Sequence, residues 1–160
     1  MNNRLLVLTD MQVDFSQSML NAEKVMPTVK NKIEFALWNK QDIAVLINVI
    51  EHSSFGEITI LPLTLEKLLK NPFENRIYTF NKTIPNSAQF WEYLMMVSYS
   101  VIEFCGFNLS TSVLSNVLHT QAWFPGIKIE VDKNAVCDKS KDLFDASLLI
   151  LETNGVFILE

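Results

Sequence analysis

Cysteine, histidine, glycine and charge are all scarce in this 160-residue sequence, and each scarcity excludes something. The two cysteines, Cys105 and Cys137, lack C-x-x-C spacing, which excludes a disulfide framework and a thiolate zinc knot. Both read as reduced, small apolar groups. Charged residues make up 19% against 49% hydrophobic, so the chain is no disordered scaffold. Thirteen Lys and Arg against eighteen Asp and Glu leave a net charge of −5, with no basic stripe, so no nucleic-acid partner is expected. The longest apolar run, Ile43 to Ile50, is broken by Asn48. It falls far short of the roughly 20 residues that span a bilayer, so no membrane partner is expected either. The N-terminal apolar stretch stops at Asp10 without a small-residue cleavage site, does not read as a signal peptide, and leaves a cytoplasmic location as the expectation.

What is present is an alternation. Short runs rich in branched residues take turns with longer segments of helical period, the order produced when helices cross between parallel strands. Strands are expected at Leu5 to Thr9, Ile43 to Val49, Arg76 to Phe80, Val101 to Cys105, Ile127 to Val131 and Val156 to Leu159. Helices are expected at Glu23 to Trp38, Leu63 to Leu69, Ser87 to Val97, Thr111 to Trp123 and Lys141 to Thr153. In the first of these, Val25, Val29, Ile33, Ala36 and Leu37 mark a buried stripe. Gly106, Gly126 and Gly155 fall where a strand ends or the chain turns back, and Asn154-Gly155 reads as a helix stop. The pattern predicts one α/β domain over residues 1–160, a three-layer α/β/α Rossmann-like arrangement with a six-stranded, mostly parallel sheet.

In such sheets ligands bind beyond the carboxyl ends of the strands, so the segments after strands one, three and four should meet. Asp10 follows strand one among apolar neighbours, and burial there would raise its pKa and let it handle protons. The plain alternative is a turn cap. Lys82 follows strand three, able to hold the Asp ionised or stabilise a developing anion, or simply to be solvated. After strand four, Gly106-Phe107-Asn108-Leu109-Ser110-Thr111-Ser112 supplies a turn and hydroxyls that either cap a helix or place a nucleophile at its amide-rich start.

Together these segments resemble the isochorismatase-like hydrolase superfamily of isochorismatases, nicotinamidases and N-carbamoylsarcosine amidases. Asp10-Met11-Gln12-Val13-Asp14-Phe15 is similar to the opening D-x-Q-x-D-F strand. Lys82 with Thr83 to Ala88 is similar to the lysine segment. Gly106 through Val113 is similar to the stretch G-x-x-T-x-x-C-V, and Ala135 and Gly155-Val156 to the closing D-A and G-V elements. The resemblance implies a catalytic set of Asp10, Lys82 and Ser112, where Asp and Lys assist a nucleophile. It implies an oxyanion and substrate-binding set of Asn108, Gln12, His52 and Phe15, a cis peptide between Phe107 and Asn108, a small-molecule substrate, and a homo-oligomer, dimer or tetramer. No cofactor is expected, because Glu51-His52-Ser53-Ser54-Phe55 supplies one imidazole and one carboxylate where the amide-hydrolysing relatives carry a fuller ligand set. His119, inside a helix, reads as structural.

The departure is at the nucleophile. The family's Cys is Ser112 here and its Thr is Leu109. Moving a thiol proton to an Asp already spans about 4.6 pKa units, roughly 6 kcal/mol, and a hydroxyl is far less acidic. Serine nucleophiles are normally served by a histidine, and none is an evident partner. Three readings follow. A hydrolase needing no thiol would use Asp10 as general acid on a vinyl ether. An amidase would use Ser112 itself. A degenerate member would bind a small ligand or a protein, with Trp91, Tyr93 and Tyr99 available to an interface if exposed, although aromatics at helical spacing belong to a core more often than to an interface.

Overall fold

The computed structural model describes residues 3–12, 19–48, 76–82 and 86–160. Within them six strands form one sheet: β1 (Arg4–Thr9), β2 (Asp42–Asn48), β3 (Ile77–Lys82), β4 (Val101–Phe107), β5 (Lys128–Cys137) and β6 (Phe157–Leu159). The order across the sheet is β3-β2-β1-β4-β5-β6, and every neighbouring pair is parallel. The sheet is thus wholly, rather than mostly, parallel. Four α-helices are described: α1 (Ala22–Trp38), α2 (Ala88–Met96), α3 (Leu114–Trp123) and α4 (Lys141–Thr153). Val49 and the helix expected at Leu63 to Leu69 lie outside the described residues.

Strands that are apolar on both faces require a helical layer on each. Leu5 and Val7 of β1 enter one core with Phe90 and Leu94 of α2, Val117 of α3 and Leu151 of α4. Leu6 and Leu8 enter the other with Val25, Val29, Ile33 and Ala36 of α1, against which Leu37 packs half-buried. The expected stripe is therefore what seats α1, and the three layers are in place. None of the described helices is long and apolar enough to cross a membrane.

Several boundaries depart from the sequence reading. Strand β5 runs on to Cys137 because its register with β4 shifts between Phe104 and Gly106, which accommodates Asp132-Lys133-Asn134 in the strand. There Asp132 Oδ1 accepts the Asn134 amide at 2.8 Å, so a polar break in the sequence becomes an irregularity instead of an end. Strand β3 extends to Lys82, and β4 continues through Gly106.

Of the two readings open to Trp91, Tyr93 and Tyr99, the structure has the core one. Tyr99 is buried, with its hydroxyl donating to Asp42 Oδ2 at 2.7 Å and sharing a hydrogen bond with Tyr93, while Trp91 and Tyr93 pack half-buried on the same core. Paired phenols let aromatics enter a core without stranding their oxygens.

Candidate active site

The strand order reverses direction about β1 and β4, and the carboxyl ends of that pair flank the crevice where such sheets place ligands. Asp10 leaves β1 there in the left-handed region, φ 51°, a conformation Asp tolerates better than most side chains. Its amide donates to the Leu46 carbonyl at 3.1 Å and its carbonyl accepts from Gln12 at 2.7 Å, so the turn is fixed at both ends. Beside it, Gly106 has φ 120°, and a Cβ there would lie 2.1 Å from the Thr9 carbonyl oxygen. Only glycine fits where β1 and β4 approach this closely. The next peptide, Phe107–Asn108, is cis, at the position that the family resemblance implied.

Lys82 is the last residue of β3 instead of a loop residue. Strand alternation sets it on the same face as buried Phe80, which belongs to the core beneath α2 and α3. Its partner in register is Asn48, whose backbone is held by Gln12 through bonds of 2.8 and 3.1 Å. Ser87 caps α2 by accepting the Phe90 amide and donates to the Asn81 carbonyl at 3.0 Å, tying that helix to the end of β3.

Ser112 sits in a π-helical turn, Leu109–Val113, that precedes α3, a wider turn than the α-helical start expected at Thr111. The Asn108 carbonyl accepts from Thr111 at 3.3 Å and from Val113 at 3.2 Å, and the Asn108 side chain makes no capping bond. Residues 72 and 102 positions apart now meet. Lys82 Nζ donates to Asp10 Oδ2 at 2.7 Å and to Ser112 Oγ at 3.1 Å, and Ser112 Oγ donates to the same Asp10 oxygen. All three residues are buried. Burial pushes the Lys82 amine below its usual range, and the Asp10 carboxylate restores part of that loss. Asp10 Oδ1, also buried, has no partner among the described residues, and nor does Asn108 Oδ1.

Both ends of the Gln12 side-chain amide serve the Asn48 backbone, so it holds the end of β2. Phe15 and His52 lie outside the described residues. His119 is exposed on α3, stacked on Trp91 and hydrogen-bonded to Asn86 and to the Ser115 carbonyl. Neither cysteine joins the cluster of Asp10, Lys82 and Ser112. Both pack in the core beneath α1, where burial pushes the Cys105 thiol far up and Cys137, helped by Asp138, to about 12. Among the described residues no three His, Cys, Asp or Glu side chains stand close enough to hold a metal ion. The sequence reading missed Asp138, whose carboxylate accepts the Ser110 amide at 2.5 Å. An isolated Asp after a strand carries no signal of a bond made to another element.

No protein-family model matches the sequence, and no curated protein matches it. Solved structures do. The nicotinamidase from Staphylococcus aureus superposes with a TM-score of 0.86 at 18% identity, covering 100% of this chain and 99% of that one. An isochorismatase-like hydrolase from Alkaliphilus metalliredigens gives 0.79 at 14% identity over 98% of this chain and 94% of its own. The MAR1 ribonuclease from Caenorhabditis elegans gives 0.81 at 16% identity, covering 98% of this chain and 76% of that one. The chain therefore has the fold of the isochorismatase-like hydrolases and nicotinamidases, a six-stranded parallel sheet between helical layers.

Proposed function

We propose that the protein is a hydrolase of this superfamily acting on a small molecule, with Ser112 as the nucleophile toward an amide carbonyl. The observation that carries the reading is the Ser112 hydroxyl, held between Asp10 and Lys82 by direct hydrogen bonds in a buried site. A serine bystander has no need of two charged partners there.

Among the described residues the one histidine, His119, bonds to Asn86 and Ser115 and not to Ser112, and Lys82 takes the part a histidine base normally plays. A carboxylate is poorly matched to a hydroxyl proton, whereas an amine lies several pKa units closer. Burial disfavours the ammonium of Lys82, and its nitrogen is 3.1 Å from Ser112 Oγ. In its unprotonated form Lys82 takes the hydroxyl proton as Oγ bonds to the carbonyl carbon, and it returns that proton to the leaving nitrogen. Asp10 orients both groups. The amides of Asn108 and Ser112, at the start of the helical segment, are the donors for the oxyanion. Asp10 Oδ1, unpartnered among the described residues, is free to accept an N–H from the substrate.

The vinyl-ether route is less well supported, because it asks Asp10 to give up a proton while its Oδ2 already accepts from Lys82 and Ser112. A binding module without catalysis leaves the buried charge pair unexplained. Exposed Trp38 and Met96 are consistent with association between copies of the chain, which light scattering would measure.

The test is ammonia release from a panel of small primary amides, run beside pyruvate release from isochorismate. An amide should be hydrolysed, Ser112→Ala should abolish turnover, and the rate should climb with pH toward the alkaline range as Lys82 loses its proton. Pyruvate release that survives Ser112→Ala would instead establish the vinyl-ether route.

A further inference from the structure

A buried carboxylate outside the three-residue cluster is left unused by the chemistry above. Asp138 follows the last residue of β5 and is 2% exposed. It forms no ion pair among the described residues. Its bonds run instead to backbone amides: Oδ2 accepts from Ser110 at 2.5 Å and Oδ1 from Lys139 at 2.7 Å. Its own carbonyl accepts from Leu20 at 2.8 Å. Ser110 lies two residues before Ser112 in the π-helical turn, and Leu20 lies two residues before α1. One residue thus joins the end of β5, the turn bearing the nucleophile and the entry to α1.

The turn needs such an anchor. Ser110, second in the turn, comes too early for its amide to reach a carbonyl within it, and Asn108 contributes no side-chain cap. A carboxylate that accepts a backbone N–H at a helix start is a charge-assisted bond, and in a buried setting it is stronger than a hydroxyl cap. The geometry points to Asp138 as a positioning residue: by holding the Ser110 amide it fixes the turn in the orientation that sets Ser112 Oγ against Asp10 and Lys82. This role rests on the proposed use of Ser112, although the contact it controls is observable without turnover.

The experiment compares the full-length protein with Asp138→Asn and Asp138→Ala. The readouts are amide hydrogen exchange across residues 109–113 and the pH titration of the Lys82 side chain, followed by its Cε resonance. Asn keeps one acceptor and nearly the same shape, so it retains the fold if Ala does not. Exchange in the turn should rise by roughly 10-fold or more, as expected when a charge-assisted bond of 1.5–3 kcal/mol is lost. The Lys82 titration should move because its contact with Ser112 is loosened. If the Lys82 titration stays as in the wild type, whether or not exchange in the turn rises, the assignment is overturned. Failure of the wild type to hydrolyse any amide would count against the proposed function alone, since the Lys82 signal decides the role of Asp138.

Discussion

Asp10→Asn is the perturbation whose consequences the site geometry fixes most tightly. Asn tolerates the left-handed φ of 51° and keeps the side chain's shape, so the substitution removes charge and little else. It leaves Lys82, whose side chain is wholly inaccessible, without the carboxylate at 2.7 Å. Stranding one member of a buried pair typically costs about 3–5 kcal/mol, which in a protein of this size lowers Tm by roughly 10 °C. Lys82 has an escape, however, because it can lose its proton. Its pKa already lies below the usual lysine range through burial, and Asp10 is what holds it up. Without Asp10 it falls further. A group whose pKa is lower folded than unfolded binds fewer protons in the fold, so stability rises with pH between the two values, by up to about 1.4 kcal/mol per pH unit, and is flat below the lower one. The variant's stability deficit should therefore be largest near neutrality and shrink as pH approaches that of free lysine. Urea denaturation at several pH values, on wild type, Asp10→Asn and the double variant Asp10→Asn with Lys82→Met, measures this. The double variant, with no charge to bury, should regain about 1–4 kcal/mol over Asp10→Asn at neutral pH. A deficit independent of pH, or a double variant no more stable than the single one, would refute the reasoning.

Gly106→Ala should destabilise by roughly 3–5 kcal/mol, combining a positive φ with a clash against backbone that cannot step aside, and calorimetry would register the lowered Tm. Ser112→Cys should place a thiol between Asp10 and Lys82 that native iodoacetamide alkylates. In the same mass-spectrometric assay Cys105 and Cys137, buried with raised pKa values, should stay unmodified until the protein unfolds. Tyr99→Phe should cost about 1–3 kcal/mol in urea denaturation, because Asp42 and Tyr93 both lose the hydroxyl they share.

Local apolar pattern made the sheet legible in the sequence. Branched runs bounded by polar residues are strands wherever helices cover both faces, and the α1 stripe from Val25 to Ala36 is a helix-period signal that burial satisfies. The meeting of residues 10, 82 and 112 was legible only because resemblance supplied the order of motifs and parallel topology supplied the crevice. Features decided by distant partners were illegible. The polar triplet Asp132-Lys133-Asn134 reads as a strand end until its irregular pairing with β4 is seen. Gly106 reads as a turn until the Thr9 carbonyl is found 2.1 Å from its missing Cβ. Trp91 and Tyr93 could be read as core or interface, because half-buried aromatics on a short helix have no distinguishing period. Asp138 gives no sign at all, since the amide it holds is 28 positions earlier.

The central claim is that Ser112 is an activated nucleophile, and the measurement that meets it most directly is covalent trapping. Wild-type protein treated with a fluorophosphonate should gain one adduct, mapped by peptide mass spectrometry to Ser112, at a rate that falls by orders of magnitude in Asp10→Asn and Lys82→Met. Labelling that persists in Ser112→Ala, or a Ser112 no more reactive than the surface serines, would contradict the account.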